Sequence, residues 1–147
     1  MRYTILISIF LILLFAGCKK DKFSTAPSLK FKSVNTTELR NQQLIRFSLS
    51  FTDAEGDLSD SSNIFVQELV PGCANSNFDT QLKLPAFPTS KNQKGDLDIT
   101  LGYNVTGYTG ISPKCQRNDT AVFRFVLRDN AHNASDTVSS PSIILYY

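Results

Sequence analysis

Tryptophan is absent from this chain, and histidine occurs once, as His132. The lone imidazole lies among turn residues and reads as an exposed turn position that tolerates an unusual φ. No serine occupies a Gly-x-Ser-x-Gly elbow, the signature of an α/β-hydrolase nucleophile. Carboxylates alone do not make a glycosidase pair without a cleft, and so small a domain has little room for one. The expectation is a protein that is not an enzyme. Charge of one sign is also missing: 15 basic residues face 13 acidic ones. A nucleic-acid partner would require a clustered, strongly basic surface, and none is present. Internal repeats, low-complexity tracts and apolar stripes of helical period are lacking beyond the first 17 residues. Without tryptophan, a sugar-binding platform would rest on Tyr103, Tyr108, Tyr146 and Tyr147, for which core or edge packing is the competing reading.

What the chain does have is an address. After Arg2, residues 5–15 form an apolar run broken only by Ser8, and Ala16-Gly17 supply the small residues that precede a cleavage point. The run is shorter than the roughly 20 residues a membrane-spanning helix needs. Leu14-Phe15-Ala16-Gly17-Cys18 resembles the lipobox of bacterial lipoproteins, although Phe15 stands where that family usually has an aliphatic residue. The resemblance implies that residues 1–17 are a cleaved lipoprotein signal peptide and that Cys18 is lipidated. Lys19 follows it in place of an acidic inner-membrane retention signal, which points to the outer membrane, with the periplasmic or cell-surface side left open. Residues 18–28 then form the lipidated cysteine and a flexible, polar tether. In it, Lys19, Lys20 and Lys22 read as a solvated spacer beside anionic head groups. The cut removes one basic residue, Arg2, and no acidic one, so the mature chain keeps a surplus of a single positive charge.

With Cys18 committed to lipid, Cys73 and Cys115 remain in an exported chain, where oxidation is the default. Each follows a proline-containing, loop-like stretch, Pro71-Gly72 and Pro113-Lys114. A disulfide between them closes a loop of about 40 residues, worth about 4 kcal/mol on the chain-entropy argument. A metal pair or reactive thiol lacks the spacing and the histidine partners.

Residues 29–147 read as one domain whose apolar pattern has period two almost throughout. Leu29, Phe31 and Val34 mark an imperfect first strand. Ile45, Phe47, Leu49 and Phe51 alternate cleanly with polar residues. Further strands follow over residues 64–70, around Leu82 and Leu84, and at Leu97, Ile99, Leu101 and Tyr103. The last two are Phe123, Phe125 and Leu127, then residues 137–146. Pro141 confines that final segment to an edge position or a bulge. About seven short strands split by Gly, Pro, Asn, Asp and Ser fit an antiparallel β-sandwich.

Two segments carry a closer likeness. Ser50-Phe51-Thr52-Asp53-Ala54-Glu55-Gly56-Asp57-Leu58 resembles the strand and acidic turn of immunoglobulin-like and cadherin-like bacterial surface domains. Phe125-Val126-Leu127-Arg128-Asp129-Asn130-Ala131-His132-Asn133-Ala134-Ser135-Asp136-Thr137-Val138 resembles their penultimate strand, turn and last strand, with His132 where the family usually has Gly. The whole chain resembles small Bacteroidota-type lipoproteins with one such domain. The resemblance implies an all-β immunoglobulin-like sandwich and a place in the cell envelope, with no established activity.

The acidic turn is the one candidate metal site. Asp53, Glu55, Asp57 and Asp60 offer carboxylate oxygens around Gly56, and the immunoglobulin-like topology would bring Asp129 to the same pole. Such a set suits Ca²⁺, which takes six to eight oxygens on a flexible frame. The competing reading is a solvated turn whose Asp side chains cap their own backbone. In function, the sequence points to a non-enzymatic, lipid-anchored envelope module acting through protein contacts. An accessory glycan-binding lipoprotein of a nutrient-uptake system is the alternative. The same topology predicts that the tether leaves beside the acidic turn, with Cys73 and Cys115 at the opposite pole.

Overall fold

A computed structural model describes residues 25–59, 61–73, 78, 80–86 and 88–147. The signal peptide 1–17, Cys18, the tether as far as residue 24 and Asp60 lie outside the described residues. Nine strands are described: β1 (Ser28–Val34), β2 (Glu38–Leu39), β3 (Leu44–Asp53), β4 (Asn63–Leu69), β5 (Thr80–Lys83), β6 (Gln93–Tyr103), β7 (Thr109–Ile111), β8 (Asp119–Arg128) and β9 (Val138–Leu145). They form two sheets, one in the order β1-β3-β6-β7 and the other in the order β2-β9-β8-β4-β5. Every pairing is antiparallel except β2 with β9 and β6 with β7, the two shortest strands.

Alternation explains the long strands. On β3, Ile45, Phe47 and Leu49 are fully buried while their neighbours face outward, and on β8 Ala121, Phe123, Phe125 and Leu127 do the same. The two rows meet between the sheets, where the Phe47 ring lies 5.0 Å from that of Phe123 and 5.2 Å from that of Phe125. Their tilted geometry is one that aromatic quadrupoles favour. The irregular first strand has a cause: its pairing with β3 shifts between Phe31 and Ser33, so a bulge breaks the alternation there.

Pro141 sits at a second bulge. Val122 pairs with Ser142 and Arg124 with Ser139, so Ser140 and Pro141 together oppose Phe123. Proline has no N–H to give the ladder, and the Ser140 hydroxyl instead accepts the Phe123 N–H at 3.0 Å. The sequence reading anticipated about seven strands. The two it did not anticipate, β2 and β7, have two and three residues, too few to show a period. β6 and β8 also start earlier than their apolar residues do, at Gln93 and Asp119.

Strand pairing fixes the two poles. Ser28 pairs with Thr52, so the chain enters β1 where β3 ends. The 54–62 and 129–137 loops lie at that pole, since Asn63 at the start of β4 pairs with Arg128 at the end of β8. Leu69 pairs with Val122, which sends Cys73 and Cys115 to the far pole. Among the described residues, the start of β1 and the cysteines therefore lie at opposite poles, in the order the topology predicts.

Candidate functional sites at the two poles

The tether pole is built around carboxylates that continue the inward rows. Asp53 follows Phe51 by two residues on β3 and is 1% exposed. Its Oδ2 accepts the backbone N–H groups of Asp57 at 2.9 Å and Leu58 at 3.3 Å, and its Oδ1 accepts that of Glu55 at 3.3 Å. One buried side chain thus organises the whole acidic turn. Gly56 completes it with a φ of +73°, and a Cβ there would lie 2.0 Å from the Ser90 carbonyl oxygen. Leu58, fully buried, closes the core beneath the turn.

Asp129 plays the same part in the facing loop. It is 2% exposed, its Oδ1 accepts the Asn133 N–H at 2.7 Å, and its Oδ2 accepts the Asn133 Nδ2–H at 3.0 Å. His132 is exposed with a φ of 69°, as its turn context predicts. The two loops are then tied together. Asp57 Oδ2 accepts the Ala131 N–H at 3.2 Å, the Ser62 hydroxyl donates to Asn130 Oδ1 at 3.0 Å, and Asn130 Nδ2 donates to the Ser59 hydroxyl at 2.6 Å. Asn133 Nδ2 also reaches the carbonyl of Thr25, at the base of the tether, at 3.5 Å.

Of the residues proposed for Ca²⁺, Asp53, Asp57 and Asp129 are gathered at one pole and Glu55 is exposed to solvent. Burial pushes the Asp57 carboxyl above the ordinary carboxylate range, and the charges of Asp129 and Asp53 raise it further. Asp57 Oδ1 is buried and has no hydrogen-bond partner among the described residues. Asp53 and Asp129, by contrast, spend both oxygens on the loops that follow them. That arrangement is the capping one.

At the far pole, Cys73 and Cys115 form the expected disulfide, with Cα atoms 5.7 Å apart. Asp119, the first residue of β8, is 3% exposed and holds the cysteine loop in place. Its Oδ2 accepts the backbone N–H of Lys114 and, at 3.1 Å, that of Cys115, while its Oδ1 lies 3.8 Å from Cys73 Sγ. Among the described residues, Cys73, Cys115 and Asp119 are the one group of three potential metal ligands within 4.8 Å of one another. Two of the three are sulfurs bonded to each other and offer no thiolate to a metal.

Two of the four candidate tyrosines are not free surface. Tyr103 is 6% exposed in the core, and Tyr146 lies beneath the Arg40 guanidinium, 3.8 Å from the ring centroid, with its hydroxyl 3.1 Å from Glu38 Oε2. Tyr108 and Tyr147 are exposed. Sequence reasoning passed over Asp119 and over Glu68, which is also buried. Extending the period-two rows by one step past their last apolar member finds Asp53, Asp119 and Asp129 alike, whereas Glu68 interrupts the row of Ile64, Val66 and Val70 from within. Comparison of the chain with protein-family models, with curated proteins and with solved structures finds no match.

Proposed function

We propose that this chain is a lipid-anchored lipoprotein of a bacterial outer membrane, whose immunoglobulin-like β-sandwich is a non-enzymatic module acting through protein contacts. The strand order supports the immunoglobulin-like reading. A β1-β3-β6 sheet faces a β9-β8-β4-β5 sheet, and the short second strand crosses to pair in parallel with the last. The observation that carries the function is the division of labour between the poles. The chain arrives at one pole against Asn133, where two loops are knitted shut. The opposite pole carries the cross-linked loops of Cys73 and Cys115. Loops ordered in advance lose less entropy on binding, so the far pole is the economical place for a partner.

Two measurements test this. Cys18→Ala should abolish fatty-acid labelling and release the protein from the membrane fraction, and retention of either refutes the anchor. Cross-linking on intact cells through single reactive residues placed at 112 or 132 should capture a discrete envelope protein from position 112 only. Capture from 132 alone would reverse the assigned polarity, and retention on a glycan array instead would favour the sugar-binding alternative.

A further inference from the structure

Asp119 divides its carboxylate between two tasks, and one of them is incomplete. Its Oδ2 accepts the backbone N–H groups of Lys114 and Cys115. The polar partner of Oδ1, among the described residues, is the Cys73 sulfur at 3.8 Å. In the disulfide with Cys115 that sulfur carries no proton, so it has nothing to donate. A carboxylate oxygen of a side chain 3% exposed is therefore aimed at sulfur and gains no hydrogen bond from it. A buried acceptor left in that condition is unfavourable, and it points to a different partner in another state of the two cysteines.

Reduction supplies that state. With a phosphine as reductant, the S–S bond breaks, the phosphine is oxidised by an oxygen atom taken from water, and the water's two hydrogens end on the sulfurs as thiols. Cys73 Sγ, Cys115 Sγ and a carboxylate oxygen of Asp119 all lie within 4.8 Å of one another. Around a tetrahedral Zn²⁺, with Zn–S of about 2.3 Å and Zn–O of about 2.0–2.2 Å, ligand atoms stand about 3.5–3.8 Å apart. The Cys73 sulfur and Asp119 Oδ1 already keep that separation. The two sulfurs, on Cα atoms 5.7 Å apart, reach it by rotation about their Cα–Cβ bonds once the bond between them is gone. The frame holds meanwhile: Oδ2 stays on its two amides, and the Cys73 N–H donates to the Val70 carbonyl at 3.2 Å. Both cysteines are half-buried, so an ion in solution can reach them.

We propose that, once the disulfide is reduced, Cys73, Cys115 and Asp119 form a Zn²⁺ site with water in the fourth position. Three protein ligands and one open position are a composition that zinc accepts, and a pair of thiolates selects it over hard cations such as Ca²⁺. Each thiol gives up its proton as it ligates, so binding releases two protons. The disulfide and the metal are alternative uses of one pair of sulfurs. The cysteine loops are braced by the S–S bond in the oxidised chain and by the ion in the reduced one. This site does not depend on the lipid anchor or on a protein partner.

The test uses the full chain in detergent, with Cys18→Ser to remove the third thiol, reduced by a water-soluble phosphine. Co²⁺ is the spectroscopic probe. It should bind one to one, with thiolate-to-metal charge-transfer absorption and the intense visible bands of a four-coordinate ion, and Zn²⁺ should displace it. Zn²⁺ should also raise the thermal midpoint of the reduced protein and leave that of the oxidised protein unchanged. Asp119→Asn keeps an acceptor for the Lys114 and Cys115 amides and removes the carboxylate ligand, so it should weaken Co²⁺ binding by about tenfold or more. Absence of the charge-transfer band, affinity unchanged by Asp119→Asn, or equal uptake by the oxidised protein overturns the proposal. So does uptake that leaves the midpoint of the reduced protein where it was, because metal held by loose thiols does not favour the fold. That measurement needs no change at Asp119, and it decides the matter even where Asp119→Asn fails to fold. Should the reduced protein itself be unfolded, Zn²⁺ must restore its β spectrum where Ca²⁺ does not, and failure to do so is equally fatal.

Discussion

Asp119 opens β8 and Asp129 follows its last residue, so the two bound one inward row, ten residues apart and at opposite poles. Between them lie Ala121, Phe123, Phe125 and Leu127, each fully buried. Each aspartate turns its carboxylate onto the amides of the adjoining loop, Lys114 and Cys115 at one end and Asn133 at the other. A single strand therefore supplies the centre of the core and the organiser of both poles. The arrangement follows from geometry. The last inward position of a strand is buried by the core on one side and met by unpaired loop amides on the other, and a carboxylate satisfies several of those at once.

Removing either carboxylate should disturb one pole and spare the other. Asp119→Ala is expected to cost about 1–3 kcal/mol, the penalty for leaving buried amides without their charged acceptor. Amide hydrogen exchange should quicken across residues 112–118 while residues 129–137 keep their protection. Asp129→Ala should give the mirror pattern. Uniform loosening in both variants would mean that the poles are not independent.

The legible part of this fold was the part with a period. Ile45 to Phe51 and Phe123 to Leu127 alternate without interruption, and they became the two facing rows of the core. Pro141 announced its bulge because a residue without an N–H cannot sit in a continuous ladder. The expectation of export, read from the first 18 residues, announced the pairing of Cys73 with Cys115. The roles of the acidic residues were harder to see. Asp53, Glu55 and Asp57 look alike along the chain, yet one is buried as a cap, one is exposed and one is partly buried between two other charges. What separates them is the fall of inward and outward positions at the end of β3, a three-dimensional property. Glu68 escaped notice for the opposite reason. A charged residue in an apolar row reads as an outward position until the opposite sheet is in place.

Reduction of the disulfide should lower stability without changing the architecture. The bond joins residues 42 positions apart, and a loop of that length is worth about 4 kcal/mol through its effect on the unfolded chain. The midpoint of denaturant unfolding should fall accordingly, while the far-ultraviolet spectrum keeps its β signature. Two free thiols in protein made in an oxidising compartment would contradict the pairing.

Asp57 predicts a particular dependence on pH. Its folded carboxyl is raised above the usual 3.8, by burial first and then by the charges of Asp129 and Asp53. A raised carboxyl binds its proton more tightly in the folded state, so this group opposes folding at neutral pH. The opposition fades as pH falls through the raised value and is gone below the ordinary one. Asp57→Asn keeps an acceptor for the Ala131 N–H and removes the charge. It should be at least as stable as the parent at pH 7, with the advantage shrinking towards pH 4, read from thermal midpoints in low salt. A stabilisation of the parent by millimolar Ca²⁺ that Asp57→Asn abolishes would instead return the turn to the metal-binding reading.

Gly56 gives the sharpest test of the tether pole, because two separate constraints fall on one atom. Its φ of +73° is a conformation that costs a side-chain-bearing residue about 1 kcal/mol or more. In addition, a Cβ would sit 2.0 Å from the Ser90 carbonyl oxygen, and that obstacle is backbone, which cannot swing aside as a flexible side chain would. Ala54 accepts the Asn92 N–H at 3.1 Å, so the acidic turn and the segment before β6 are joined next to the collision. Gly56→Ala should therefore destabilise by more than the conformational cost alone, about 2–4 kcal/mol once the displaced backbone is included. Gly72→Ala is the control: it shares a positive φ, 79°, but among the described residues nothing lies within 4 Å of its Cβ, so only the conformational part should appear. The difference between the two variants, measured by denaturant unfolding, isolates the contact with Ser90. Equal losses would show that the turn does not press on that segment at all.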